Sequence, residues 1–514
     1  MSNRMIRMLT LFVLTAPALA SPAAAASFIV RCDGGCATAT AAIQQIPGAR
    51  IDRAFANVDA LVVDVPVAAV ASLKSRPGIA EIQEDVAVLS TDPSDEQPVG
   101  PAAGAQALSP AQIASLPAGS DYNAPLVGAH GFHAQGRFGA GVVVAVIDSG
   151  VANDPAVVPA LAGSVLGGEN FLPASLDPVL SATSTANDPH GTFAAVLLAG
   201  HALYRFPTAS PFIQSLLAHA PQSVLSCASL GCPAGESAVA VAGVAPAAKI
   251  YAMKILPSNG TAGPSSRVLM AMDRAITLRR NFDAGLPAVP VNPGCGAAEN
   301  PCVYDSLPIR IANMSFGGPA LYAGGSVRDL LVTEMLEAGI LPVTATGNDG
   351  PAALTVQSPG SGPGALNVTA ATSAAHERVR RDLELGLGAG LQLRPAGNLQ
   401  IQGTSSRGPL PDGRLGIDLA ADGYALLSQG ADGRLSLVSG TSFAAPLAAG
   451  AAALLGERFP AAPVVEIRNA LVEGADPSLL TDGSGPVDHG AGFLQIAAAD
   501  ALLAAGGVSP HLPH

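Results

Sequence analysis

The sequence predicts an α/β protein, with a parallel central sheet, helices on both its faces, and a small α+β domain in front. Three observations carry this. Five of the six residues from Val142 to Ile147 are β-branched, and such an uninterrupted apolar run reads as a strand buried on both faces. Further strand candidates at Lys249–Ile255, Ile309–Met314, Ile340–Ala345 and Leu366–Ala370 are interspersed with helical stretches at Gly191–Ala199, Ser265–Leu278, Val327–Ala338, Ser442–Leu455, Val464–Val472 and Leu494–Ala504. Alternation of this kind implies parallel strands joined by right-handed crossovers. Ahead of them the order is strand Phe28–Val30, helix Ala39–Ile46, strand Ala60–Val65, helix Val67–Ser75 and strand Ile79–Gln83, the order of a split βαβ, ferredoxin-like module.

Taken in order, Met1–Ala26 reads as an export signal. Arg4 and Arg7 precede the uncharged apolar run Leu9–Ala20, and Ala18-Leu19-Ala20 and Ala24-Ala25-Ala26 are small-residue cleavage candidates. The run is too short to span a bilayer. Residues 27–90 form the small front domain. Residues 91–120 open with Asp92-Pro93-Ser94-Asp95-Glu96-Gln97-Pro98 and continue rich in Gly, Ala, Pro and Ser; such a stretch buries little and reads as a flexible linker. Residues 121–506 are the α/β unit and 507–514 a tail. His130 and His133 share a helical spacing and read as surface residues near the start of that unit.

Composition narrows the function. A net charge of −13 and no dense basic cluster argue against a nucleic-acid partner. Hydrophobic residues make up 49% and charged residues only 13%, which suits a large core. After the signal, no uncharged apolar run is long enough for a membrane span. The cysteines fall in near pairs, Cys32/Cys36, Cys227/Cys232 and Cys295/Cys302. With export, local disulfides are favoured over free thiols or a metal, since no histidine stands at zinc-finger spacing.

Three short segments carry chemistry. In Gly440-Thr441-Ser442-Phe443-Ala444-Ala445-Pro446 a serine opens an Ala-rich helix. On its own it reads as a cap, but the unpaired N–H groups there would also receive an oxyanion. Asp148 ends the Val142–Ile147 strand, where ligand sites of open α/β sheets lie; on its own it reads equally well as a turn aspartate. His190, in Asp188-Pro189-His190-Gly191-Thr192, opens another apolar helix. That position disfavours the imidazolium and leaves a neutral base, although a capping or core histidine fits the segment alone.

Together these segments resemble the subtilisin-like serine peptidases, the subtilases. Asp148, His190 and Ser442 stand in that family's chain order, 42 and 252 residues apart. The resemblance covers about residues 121–505. It implies a secreted or periplasmic serine endopeptidase acting on polypeptides through an Asp148–His190–Ser442 triad. Asn348, in Thr346-Gly347-Asn348-Asp349-Gly350, would be the oxyanion-hole side chain. Ser315, Phe316 and Gly317, in Asn313-Met314-Ser315-Phe316-Gly317-Gly318, would hold substrate backbone by strand addition. Residues 27–90 resemble the family's inhibitory propeptide, whose tail occupies the active site until cut. This implies a zymogen that matures between about Ala87 and Ser120, with its own propeptide as intramolecular partner. Catalysis needs no metal or other cofactor. The family often binds structural calcium, but no calcium loop stands out among the acidic residues and no ligands are assigned.

Departures from the family pattern are few. Phe193 stands where a second histidine is usual, and Phe443 follows the nucleophile where methionine is common. Residues 375–403, with Arg378, Arg380 and Arg381, look like an insertion. Pocket walls near Phe316 and Thr346 suggest an uncharged residue at the cleavage position. Two other readings stay open: a catalytically inactive binding protein on the same scaffold, and an esterase. The esterase would need its histidine after the serine, and Gly440-Thr441-Ser442-Phe443-Ala444 lacks the closing glycine of Gly-x-Ser-x-Gly.

Overall fold

A computed structural model describes residues 25–90, 96–123, 127–227 and 232–512. All of the expected signal except Ala25 and Ala26, and residues 91–95 of the expected linker, lie outside the described residues. The described residues divide into two compact units, one of residues 25–54 with 59–84, the other of residues 55–58 with the described residues from 85 onward.

The small unit has the β-α-β-β-α-β order. Its strands Ala25–Cys32, Arg50–Ala54, Ala60–Pro66 and Ile79–Glu84 form one antiparallel sheet, with the first strand between the third and fourth and the second at an edge. Arg50–Ala54 escapes sequence reading because four of its five residues are charged or Ala and it is mostly exposed. Phe28, Val30, Ile43, Leu61, Val63 and Leu73 fill the core, and Cys32–Cys36 staples the first strand to the first helix.

The large unit is built on one sheet. Its strands are β1 (Val143–Asp148), β2 (Val165–Asn170), β3 (Lys249–Lys254), β4 (Ile309–Met314), β5 (Leu341–Ala345), β6 (Leu366–Ser373), β7 (Leu399–Ile401) and β8 (Leu419–Asp422). The order is β7-β6-β5-β4-β1-β3-β2, with β8 also on β6. Every pairing is parallel except β6–β7. The parallel α/β reading therefore holds, with an antiparallel edge strand supplied by the 375–403 insertion. The five expected strands are present. β2 and β8 were not foreseen: Val-Leu-Gly-Gly-Glu-Asn and Leu-Ala-Ala-Asp hold few residues that favour strands.

Helices α1 (His190–Ala199), α2 (Pro211–His219), α3 (Ser265–Asp283), α4 (Val327–Glu337), α5 (Ala374–Leu385) and α6 (Thr441–Arg458) cover the sheet and its margins. α6 packs on α1 and on β4, β5 and β6, while α3 and α4 pack together against β4 and β5. Every residue of α6 from Thr441 to Gly456 is buried. Its alanines let it approach the sheet closely, which brings its first turn to the carboxyl ends of the strands. The insertion helix α5 packs on α2, where the buried Asp382 carboxylate accepts from Ser215 Oγ at 3.0 Å and lies 2.9 Å from His219 Nε2. Cys227–Cys232 and Cys295–Cys302 are disulfide-bonded, so all three expected pairs form.

Two details differ from the sequence reading. His133 is not a surface residue: it is 3% exposed, its Nε2 lies 2.9 Å from the Val244 carbonyl, and its ring stacks on Phe138. The stretch after residue 95 buries more than its composition suggests. Glu96–Pro98 and Gly104–Ala107 pair as strands, Ser109 caps Pro110–Ala114 in a capping box, and Val99, Leu108 and Ile113 are buried. Docking onto ready-made strand edges supplies the partners its own composition lacks.

Candidate active site

The carboxyl ends of β1, β4 and β5 and the first turns of α1 and α6 meet at one place. Asp148 is the last residue of β1 and is fully buried. Its Oδ1 accepts the Ser149 N–H at 2.7 Å and lies 2.8 Å from His190 Nδ1. A proton on Nδ1, directed at the carboxylate, leaves the lone pair on Nε2. Nε2 is buried and has no hydrogen-bond partner among the described residues. Burial alone would lower the His190 pKa, but the Asp148 charge and hydrogen bond, with Asp188 and Glu96, outweigh it and the pKa is raised.

Ser149 locks this pair in place. Its hydroxyl donates to the Asp188 carbonyl at 2.9 Å and accepts the Gly191 N–H at 2.9 Å, so the turn after β1 is tied to the start of α1. Sequence reasoning passed over Ser149, whose only signal was its place directly after the candidate aspartate.

Ser442 is the second residue of α6. Its hydroxyl donates to the Ser315 carbonyl at 3.0 Å, the Ser315 hydroxyl donates back to the Ser442 carbonyl at 2.7 Å, and Asn313 Nδ2 donates to Ser315 Oγ at 3.0 Å. The end of β4 is thereby registered against the first turn of α6. Asn348 follows β5. Its Oδ1 accepts both the Thr441 N–H and the Thr441 hydroxyl at 3.0 Å, and the Thr441 hydroxyl accepts the Gly347 N–H at 3.2 Å. With Oδ1 held twice, Nδ2 faces the Gly440 turn: a Cβ at residue 440 would lie 2.9 Å from it. Gly440 also sits at φ +134°, so a side chain there is excluded by space and by backbone. Thr441, which the motif reading missed, thus ties Asn348 and Gly347 to the start of α6.

The two departures from the family pattern touch each other. The Phe443 ring lies 5.2 Å from that of His190, and Phe193 meets Phe443 edge-on at 6.3 Å. Two aromatic residues thus fill the space behind the imidazole.

Beside this cluster runs the strand Phe316–Pro319. Phe316–Pro319 pairs antiparallel with Ala87–Ser90 on one side and with Gln357–Ser358 on the other, and Ala87–Ser90 pairs also with Gly263–Pro264. The register sets Leu89 opposite Gly317 and Ser90 opposite Phe316. Val88 is fully buried there, while Leu89 is 56% exposed. Just upstream, the Asp85 carboxylate accepts the Ser266 N–H at 2.7 Å in the first turn of α3, where a negative charge is favoured. Glu96–Pro98 pairs antiparallel with Leu435–Val438. Burial, then the Asp188 charge, pushes the Glu96 carboxyl up to about 6.

Residues 139–493 match the sequence profile of the Subtilase family. The chain belongs to that family, the subtilisin-like serine peptidases. It is 24% identical over 425 residues to Subtilisin E of Bacillus subtilis (strain 168), covering 82% of this chain and 77% of that protein. It is 32% identical over 226 residues to Pyrolysin of Pyrococcus furiosus, covering 42% of this chain and 14% of that one. Among solved structures, fervidolysin from Fervidobacterium pennivorans, described as a keratinolytic enzyme related to subtilisin, superposes with a TM-score of 0.57 at 17% identity. That superposition covers 95% of this chain and 62% of fervidolysin, so the chain spans about three-fifths of that protein's length. The likeness extends to the fold. No helix among the described residues is long and apolar enough to cross a membrane, and no group of three or more His, Cys, Asp or Glu side chains there is arranged to hold a metal.

Proposed function

We propose that this subtilase is an exported serine endopeptidase, made as a zymogen and working through Asp148, His190 and Ser442. One observation carries the reading. The buried Asp148 carboxylate engages one nitrogen of His190 and leaves the other without a hydrogen-bond partner among the described residues, beside the turn where Asn348 and Ser442 are held.

In this reading Ser442 Oγ attacks the scissile carbonyl and His190 Nε2 takes its proton. Asp148 keeps the imidazole in its tautomer and stabilises the imidazolium. The Asn348 amide and the Ser442 N–H receive the oxyanion. His190 then gives its proton to the leaving amine, and water reverses the sequence to release the acyl group. Ser315, Phe316 and Gly317 hold the substrate backbone, as Phe316 and Gly317 now hold residues 89 and 90.

The Ala87–Ser90 strand is the basis for the zymogen. It lies as an added strand on the edge beside Ser442, with Val88 buried, and the chain is held again at Glu96–Pro98. Residues 27–90 act as the inhibitory propeptide, with autolytic cleavage between Ser90 and Glu96. The apolar run Leu9–Ala20 directs export, which is consistent with three disulfides.

The test is a serine-directed fluorophosphonate probe on secreted protein, with N-terminal sequencing. Labelling and peptide hydrolysis that vanish in Ser442→Ala, and a first residue between 91 and 96, are the expected results. Wild-type protein that hydrolyses no peptide would return the chain to the inactive binding-protein reading. Full activity with residues 30–85 still covalently attached would end the zymogen proposal.

A further inference from the structure

Two glycines flank the gap beside the nucleophile, and one side chain fills it. Gly317 lies on the substrate-binding edge, two residues past Ser315, whose carbonyl accepts the Ser442 hydroxyl. Gly347 lies across the gap, directly before Asn348. A Cβ at Gly317 would stand 2.1 Å from Gln357 Oε1 and 2.8 Å from Gln357 Cβ, and one at Gly347 would stand 2.7 Å from Gln357 Cγ and Cδ. The Gln357 side chain therefore runs between the two backbones.

It is held at both ends. The Gln357 N–H donates to the Thr346 carbonyl at 3.0 Å, the residue pairs with Pro319, and its Nε2 donates to Asp349 Oδ2 at 2.6 Å. An extended peptide on the 316–317 edge, with its carbonyl between Ser442 and Asn348, must send the side chain of that residue into this gap or out to solvent. The gap's glycine walls would admit a flat or long side chain, but the Gln357 stem already occupies the space.

We propose that Gln357 sets the cleavage preference, restricting the residue on the acyl side of the scissile bond to small side chains such as Gly, Ala, Ser or Thr. This rests on the endopeptidase reading above. It narrows the expectation of an uncharged residue, because size excludes Leu and Phe as firmly as charge excludes Lys. It also gives Asp349 a role: its carboxylate is engaged by Gln357, and shortening residue 357 releases it toward the gap.

The experiment uses processed wild-type enzyme with Gln357→Gly and Gln357→Ala, each counted by fluorophosphonate titration. The substrates are quenched peptides identical except for Ala, Thr, Leu, Phe or Lys at the acyl-side position. Wild type is expected to favour Ala over Phe and Leu by at least about tenfold in kcat/KM, since a pocket built to fit discriminates by about 10- to 200-fold per misplaced group. Both variants should shift the Phe-to-Ala ratio upward by at least about tenfold. They should also raise the Lys-to-Ala ratio, and adding Asp349→Asn should abolish that rise. Wild type that cuts after Phe as fast as after Ala overturns the assignment, as do titratable variants with an unchanged ratio. In both cases the enzyme reading survives. Proteins that neither titrate nor cut any peptide overturn the enzyme reading and the assignment with it.

Discussion

Asn348 and Thr441 make a prediction whose size follows from the hydrogen bonds. Asn348→Ala removes the proposed side-chain donor for the oxyanion. In subtilisin, a relative, losing the corresponding donor costs about 100- to 1000-fold in kcat, about 2.7–4 kcal/mol, and a loss of that order is expected here with KM little changed. Thr441→Val is subtler. It deletes the hydroxyl, one of two donors that fix Asn348 Oδ1, and leaves the backbone N–H in place. One such bond contributes about 0.5–1.5 kcal/mol, so if that contribution is lost in full from the orientation of the amide, kcat should fall by about 2- to 13-fold at about 1.36 kcal/mol per tenfold. If the hydroxyl acts on the reaction through Asn348, the two effects must not multiply. In an Asn348→Ala background, Thr441→Val should change kcat by less than about twofold, a coupling that a double-mutant cycle reads directly. The assay is steady-state hydrolysis of one Ala-type peptide by the four titrated proteins. Thermal melts of each protein check that loss of the Gly347 N–H acceptor has not simply unfolded the turn. If Thr441→Val costs as much without Asn348 as with it, the threonine acts by another route and the positioning argument fails.

Further expectations concern pH and packing. In the proposed mechanism His190 must be neutral to accept a proton, and its pKa is raised from the ordinary 6.5, so kcat/KM should fall as pH drops through a value above 6.5. Asp188→Asn, which removes one of the charges that raise it and can still accept the His190 N–H, should move that acid limb to lower pH. Val88 is fully buried on the strand edge, and burying a valine is worth about 1.5–3 kcal/mol, so Val88→Asp should slow precursor processing by at least about tenfold in a pulse-chase. Phe443 is 4% exposed and backs His190; Phe443→Ala, made in Ser442→Ala to prevent self-digestion, should lose about 3–5 kcal/mol in denaturant titration. Asp422 is fully buried and its pKa is driven well above 3.8, by burial first and the Asp121 charge second. An acid with a raised folded pKa destabilises the fold as pH climbs past its unfolded value, so Asp422→Asn should raise the melting temperature more at pH 8 than at pH 4.

The candidate catalytic framework could be sought in the sequence because its chemistry would sit at element boundaries, and boundaries are written in local sequence. A run of β-branched residues that stops at Asp148 is a strand end, and an apolar run that starts at His190 or Ser442 is a helix start. The sheet order and the antiparallel edge were not legible. β7 lies in an insertion whose short Leu-Gln-Ile run owes its strand to the neighbouring β6. The same holds for Glu96–Pro98 and Gly104–Ala107, whose composition argues for loop and which become strands only because Leu435–Val438 and His201–Pro207 offer free edges.

Positioning residues hid for a related reason. Ser149, Thr441 and Gln357 have no motif of their own, and each matters through a partner distant in sequence: Gly191 for Ser149, Asn348 for Thr441, Gly317 for Gln357. Gln357 shows the point most sharply. Pocket walls read from sequence around Phe316 and Thr346 predict an uncharged substrate residue, because the walls themselves carry no charge. In the proposed pocket the size of that residue is decided by a side chain entering from outside both walls, on the short strand Gln357–Ser358, which no catalytic motif includes. A wall motif therefore constrains the polarity of a pocket, whereas its volume is a tertiary property. This chain's substrate preference should accordingly follow residue 357 when the 315–317 and 346–348 segments are left untouched.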